Sequence, residues 1–148
     1  MIAKINGDRA LALARDVLDI EADAVRALRN QLDDGFVEAW RDRLVNIHPT
    51  LLPAFPGINA QYQAWDHGVK YTGVTVHLVT AELDNGPIVL QQPVGVHDGD
   101  TAETLADRIL VQEHRLYPEA IQIVLDGRWR IDGRRFVRDA QSLVPGSH

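Results

Sequence analysis

Three polar side chains have types and a spacing that suit acyl transfer. Asn46 and His48 lie two residues apart at the end of a predicted strand, so both face the same side of it. Asp84 lies in the loop after another predicted strand, and sites in α/β folds form at such strand ends. An amide and a protonated imidazole can donate hydrogen bonds to the oxyanion of a tetrahedral intermediate. A carboxylate can accept the proton that an attacking amine loses, so the three residues predict acyl transfer to an amine.

Other interpretations of these residues stay open at this point. An Asn or a His at the end of a strand is commonly a cap or a satisfied surface group. If water attacked instead of an amine, the same centre would be a hydrolase, and a metal ion could be recruited by His48, His77 and Asp84. No His-x-x-x-His or His-Glu-x-x-His pattern occurs in the sequence, so we do not expect a metal.

The elements that must position these residues alternate between strands and helices. Hydrophobic periodicity predicts strands over residues 43–48, 71–80 and 88–96, and helices over residues 8–18, 21–32, 35–41, 59–67 and 101–125. The last helix is predicted to be interrupted near Pro118, and a hairpin is predicted around Asp132-Gly133. This order indicates an α/β fold with a mixed β-sheet, flanking helices, N-terminal helices and a C-terminal β-hairpin.

The composition excludes several classes of function. The chain of 148 residues has 15 Lys and Arg against 21 Asp and Glu, and the resulting net charge of -6 argues against nucleic-acid binding. The absence of cysteine excludes disulfides, thiolate zinc sites, iron–sulfur clusters and a cysteine nucleophile. We find no apolar run of membrane-spanning length and no leader pattern. We therefore expect a cytoplasmic protein that acts on small molecules.

Several motifs in one order resemble the folate-dependent formyltransferase family. The segments that carry the resemblance are Asn46-x-His48-Pro49-Thr50-Leu51-Leu52-Pro53, Gly73-Val74-Thr75-Val76-His77 and Glu82-Leu83-Asp84-Asn85-Gly86-Pro87-Ile88. The resemblance implies that Asn46, His48 and Asp84 are the catalytic residues and that 10-formyltetrahydrofolate is the co-substrate. It also implies a cis peptide bond between Leu52 and Pro53.

The resemblance further implies which residues bind the substrates. This set comprises Leu32, Thr75, His77, Val79, Glu82, Leu83, Asn85 and Gly86. The implied activity is formyl transfer to an amine. Formyltetrahydrofolate hydrolysis, another hydrolysis at the same centre, and non-catalytic folate binding are the alternatives.

The first half of the family's fold has little counterpart in this sequence. No Gly-x-Gly phosphate loop occurs, and the resemblance runs from about Gln31 to the final hairpin. We therefore predict a truncated formyltransferase (Rossmann-like) fold in one domain, 1–148. It would comprise a variant helical segment 1–30, a catalytic half 31–140 and a tail 141–148. Because a shortened sheet exposes an edge, we also predict a homodimer.

Overall fold

The computed structural model describes residues 7–139, which fall into two compact units divided between Ala39 and Trp40. The first unit contains helix α1 (Gly7–Leu28), a 3₁₀ turn (Arg29–Gln31) and the short helix α2 (Asp34–Ala39), so the two helices predicted over residues 8–32 are one continuous helix. Its large apolar side chains on α1, Leu18 among them, are exposed. The predicted tail lies outside the described residues, and the single domain stays a prediction.

The second unit is built on one sheet with helices packed against it. Its elements are β1 (Val45–His48), α3 (Ala60–Asp66), β2 (Tyr71–Leu78), β3 (Ile88–Gly95), α4 (Ala102–Asp126), β4 (Trp129–Asp132) and β5 (Arg135–Arg138). The strand order is β1-β2-β3-β5-β4, and β3 and β5 run parallel while the other neighbours run antiparallel. The predicted α/β fold with a mixed sheet and a C-terminal hairpin is therefore confirmed.

The two faces of β2 serve different purposes because successive strand residues point to opposite sides. Val74, Val76 and Leu78 are fully buried in the hydrophobic core, together with Leu105 and Ile109 of α4. Each such side chain contributes about 1.5–3 kcal/mol when it leaves water. The alternate residues of β2 form a polar face, on which His77 and Thr75 lie opposite Asn46 and His48 of β1.

Helix α4 differs from its prediction at one point. Pro118 was expected to interrupt the helix, yet α4 continues to Asp126 and ends at Gly127, which has a φ of 68°. A proline removes the hydrogen bond to the carbonyl four residues earlier, here that of His114. Both residues are exposed, so the unpaired carbonyl lies on the solvent side of the helix, where water can satisfy it.

Within residues 7–139, every helix is either too short or too polar to cross a lipid bilayer.

Candidate active site

The loop after β1 is held on the polar face of β2 by a buried hydroxyl. Thr75 Oγ1 donates to the Thr50 carbonyl at 2.7 Å and accepts from the Leu52 N–H at 3.0 Å. Gln91 Nε2 also donates to this oxygen, at 3.0 Å, and so completes the hydrogen-bonding capacity of the hydroxyl. The Leu52–Pro53 peptide bond in this loop is cis, as predicted.

His48 is buried at the end of β1, and its two ring nitrogens have different partners. Nε2 lies 2.9 Å from the Phe55 carbonyl oxygen. Since a carbonyl oxygen only accepts, Nε2 carries a proton and donates it. Nδ1 lies 3.5 Å from Asp84 Oδ2, a separation longer than a good hydrogen bond. Nδ1 is therefore the ring nitrogen that remains available for a reacting group.

Asp84 reaches this site from the loop between β2 and β3. Its backbone is in the left-handed region, with a φ of 48°, and its Oδ2 accepts the Gly57 N–H at 2.7 Å. The same loop passes close to β2, since a Cβ on Gly86 would lie 1.7 Å from the Leu78 carbonyl oxygen. The structure thus brings Asp84 and His48 together across 36 positions of sequence, as the sequence analysis expected.

Asn46 contacts a second histidine of the site, His77. Its Nδ2 lies 3.2 Å from His77 Nε2, and His77 Nδ1 lies 2.9 Å from the Leu78 carbonyl oxygen. His77 Nε2 also lies 3.7 Å from Asp84 Oδ1. The site therefore consists of two imidazoles, an amide and a carboxylate, and the predicted catalytic residues form three of the four groups.

The other predicted binding residues lie at several places. Val79, Glu82, Leu83, Asn85 and Gly86 belong to the loop that carries Asp84. Leu83 is exposed there, whereas the Asn85 amide is engaged by Glu82 and by Arg134. Thr75 is buried, and its hydroxyl makes the hydrogen bonds to the loop after β1 that are described above. Leu32 belongs to the first unit, where it is exposed. Contacts of all these residues with a folate stay predictions.

Glu113 of α4 is a polar residue that the sequence analysis did not single out. Burial raises the pKa of its carboxyl above the usual value, and the charges of His114 and His48 partly oppose that rise. A signal was present in the sequence, because Glu113 lies between Ile109 and Leu116 on the apolar face of the helix. The Glu113 carboxyl therefore interacts electrostatically with His48 of the site.

No metal centre is evident in the described part of the chain. Within residues 7–139, no three His, Cys, Asp or Glu side chains are arranged to hold a metal ion. In the structure, Asp84 lies 3.5 Å from His48 Nδ1 and 3.7 Å from His77 Nε2, the two histidines that were considered with it as metal ligands. The arrangement is suited to proton transfer and to stabilising an oxyanion by hydrogen bonds.

Comparison with known proteins relates the chain to one family. Residues 8–121 match the family described as formyl transferase. The phosphoribosylglycinamide formyltransferase of Escherichia coli (strain K12) is 37% identical over 138 residues, which is 93% of this chain. The solved glycinamide ribonucleotide transformylase 1 of Symbiobacterium toebii is 56% identical over 70% of the chain, with a TM-score of 0.68.

A third similar protein has a different activity in its description. The formyltetrahydrofolate deformylase of Pseudomonas syringae pv. tomato is 31% identical over 72% of this chain, with a TM-score of 0.68. The chain spans only part of each of these proteins. It covers 65% of the Escherichia coli protein, 49% of the Symbiobacterium chain and 36% of the deformylase chain.

Proposed function

Because the chain belongs to the formyl transferase family, we propose that it transfers a formyl group from 10-formyltetrahydrofolate to an amine. The observation that carries the proposal is the approach of Asp84 Oδ2 to within 3.5 Å of His48 Nδ1, beside the Asn46 amide. The names of similar proteins support phosphoribosylglycinamide, an intermediate of purine biosynthesis, as the acceptor. Both substrates are small molecules, and we infer that the reaction takes place in the cytoplasm.

The proposed reaction uses each group at a stated atom. The acceptor nitrogen bonds to the formyl carbon, and the carbonyl oxygen becomes an oxyanion that accepts hydrogen bonds from Asn46 Nδ2 and from His48 Nδ1–H. Asp84 takes the proton that the acceptor nitrogen loses, directly or through water. When the bond between the formyl carbon and the folate nitrogen breaks, the proton that Asp84 received passes to that nitrogen, directly or through water. Tetrahydrofolate then leaves, and the Asp84 carboxylate is restored.

Hydrolysis at the same centre is the second candidate, and the likeness to a formyltetrahydrofolate deformylase favours it. Water would attack the formyl carbon in place of the amine, giving formate and tetrahydrofolate. The two reactions require the same oxyanion donors and the same base, so the residues of the site do not separate them. They differ in whether an amine is needed.

The deciding experiment follows tetrahydrofolate release from 10-formyltetrahydrofolate, with and without phosphoribosylglycinamide. Release that requires the amine and yields one formylated product per tetrahydrofolate supports the transferase. Equal release in water alone supports the hydrolase. Binding of the folate without turnover under either condition would overturn both, and would leave the non-catalytic alternative.

Variants connect any turnover to the site. His48→Ala is expected to lower kcat by at least about 10²-fold, and Asp84→Asn by about 10²–10⁴-fold, as for other general bases. The matched control is His97→Ala, because His97 is exposed in the loop after β3. Unchanged turnover in His48→Ala and Asp84→Asn would contradict the assignment of this centre.

A further inference from the structure

We propose that His77 is a positioning residue that fixes the orientation of the Asn46 amide for the reaction. Its Nε2 accepts one N–H of Asn46 Nδ2, and the other N–H of that amide is thereby directed at the oxyanion. The inference rests on the proposed function for its kinetic consequence. Its structural part, the protonation pattern of the His77 ring, stands on the contacts of the ring alone.

The Leu78 carbonyl determines which nitrogen of His77 carries the proton. This oxygen lies 2.9 Å from Nδ1 and can only accept, so Nδ1 is the donor. In a neutral imidazole the other nitrogen then holds a lone pair and is an acceptor. His77 is 2% exposed, and water has little access to the ring to compensate for any other arrangement.

Among the residues that the structure describes, the Asn46 amide is the group placed to satisfy that lone pair. Asn46 Nδ2 is a donor and lies 3.2 Å away, within hydrogen-bond distance. Asp84 Oδ1 is an acceptor and lies 3.7 Å away, beyond that distance. The other titratable groups of the site are His48, which faces Asp84, and Glu113 on α4, which interacts electrostatically with His48.

The bond from His77 matters because an asparagine amide has two chemically opposite ends. The NH₂ group can donate to an oxyanion, whereas the carbonyl oxygen would repel it. A half-turn of the amide exchanges the two ends at little cost unless a neighbour distinguishes them. His77 Nε2 makes that distinction, because an acceptor binds the NH₂ end and not the oxygen. Without it, a part of the molecules would present the wrong end to the substrate.

The first test measures which ring nitrogen of His77 is protonated in the wild-type protein. Nitrogen-15 NMR of uniformly labelled protein at neutral pH distinguishes a protonated ring nitrogen from an unprotonated one. We expect His77 to carry its proton on Nδ1 and to have an unprotonated Nε2. A His77 ring protonated at Nε2 would overturn the proposal. Because this measurement requires no turnover, its outcome is independent of whether the chain is a transferase.

The second test compares two replacements of His77. In His77→Gln, the side-chain oxygen reaches the place of Nε2 and restores an acceptor, whereas His77→Leu fills the volume without one. We expect His77→Leu to lower kcat by about 2-fold if the two amide orientations become equally populated, and by up to about 10²–10³-fold, the loss of one oxyanion donor, if the wrong orientation prevails. KM should change little. We expect His77→Gln to recover most of that loss. Equal kcat in the two variants would contradict the proposal.

A double variant separates positioning of Asn46 from a general structural effect. Asn46→Ala removes the amide that His77 orients, so adding His77→Leu to it should lower kcat no further. Two independent losses that multiply would overturn the proposal. If His77→Leu does not fold, the ring protonation pattern and the kcat of His77→Gln decide the matter. If the wild-type protein has no turnover, the proposed function fails, while the protonation pattern still tests the orientation of the amide.

Discussion

At the scale of single residues, backbone carbonyls determine which imidazole nitrogens can take part in chemistry. The Phe55 carbonyl engages Nε2 of His48, and the Leu78 carbonyl engages Nδ1 of His77. The two rings therefore present opposite nitrogens to Asp84 and Asn46. A backbone carbonyl oxygen only accepts, so these two contacts fix a proton on His48 Nε2 and a proton on His77 Nδ1 without a further ionisable group.

The pH dependence of stability tests the effect of burial on the pKa of Glu113. Because burial raises the pKa of its carboxyl, the folded state binds this proton more tightly than the unfolded state. The stability it contributes is therefore present below the unfolded pKa and is lost as the pH rises through the folded pKa. We expect Glu113→Gln to raise Tm at pH about 7 and to have little effect at pH about 4, near the unperturbed pKa.

The matched control for this prediction is Glu119→Gln, since Glu119 is exposed on the same helix. Thermal unfolding of both variants, followed by circular dichroism at the two pH values, gives the comparison. A lower Tm for Glu113→Gln than for the wild-type protein at neutral pH would show that the charged form is stabilised by a partner.

At the scale of elements, the loop that carries Asp84 depends on Gly86. A Cβ at this position would lie 1.7 Å from the Leu78 carbonyl oxygen, a backbone atom that cannot move without breaking the end of β2. We expect Gly86→Ala to destabilise the protein by about 3 kcal/mol or more, at the upper end of overpacking effects. Turnover should also fall, because Asp84 and His77 are both tied to this segment.

Gly99→Ala is the control for the Gly86 variant. Nothing lies within 4 Å of a Cβ at Gly99, which lies in the loop before α4. Urea unfolding curves of the two variants should therefore differ in midpoint, with Gly99→Ala close to the wild-type protein. Similar midpoints for Gly86→Ala and the wild-type protein would mean that the loop can leave β2 at little cost.

Periodicity and turn residues were sufficient to predict most elements of the second unit. Alternation identified β2, and the Asp132-Gly133 signal identified the β4–β5 hairpin, although Asp132 ends β4 and the turn is Gly133-Arg134. The order β3-β5-β4 could not be predicted, because the parallel pairing of β3 and β5 joins residues far apart in sequence. The convergence of Asp84 on His48 was expected, but the Phe55 carbonyl was not, since backbone partners depend on the loop's conformation and not on residue type.

Asp100, in the loop before α4, contacts both α3 and α4. Both oxygens of Asp100 accept from Arg108, and its backbone carbonyl accepts from Trp65 Nε1. The hydrogen bonds from Arg108 hold the pKa of Asp100 well below its usual range. The unfolded state therefore binds this proton more tightly. The stabilisation is present above the unfolded pKa and is lost as the pH falls through the folded pKa.

We therefore expect Asp100→Asn to lower Tm at neutral pH, and the difference from the wild-type protein to narrow in strong acid. Asp98→Asn is the control, because Asp98 pairs with Lys70 through two highly exposed side chains. Its effect should be smaller and should diminish in salt, since water and ions screen exposed pairs. Equal losses of Tm for the two variants would contradict the assigned role of Asp100.

At the scale of the whole molecule, the hydrophobic core and α1 have opposite characters. Among the side chains whose burial the structure describes, the buried hydrophobic ones lie between Leu52 and Ile123, in the second unit. The α1 residues Leu11, Leu18 and Val25, which are exposed, recur every seven positions and so share one side of the helix. An exposed apolar surface of this kind favours association, which is consistent with the predicted homodimer.

We expect size-exclusion chromatography with light scattering to give a dimer at micromolar concentration. The double variant Leu18→Glu with Val25→Glu should dissociate it, because charged side chains oppose burial of this surface. Leu125→Glu is the control, since Leu125 is at least as exposed as Leu18 and Val25 but lies at the end of α4. A wild-type monomer at every concentration would contradict the dimer. A dimer that survives in the double variant would mean that the copies associate through a surface other than α1. The next surface to test is then β1, the first strand in the order of the sheet that the described residues form.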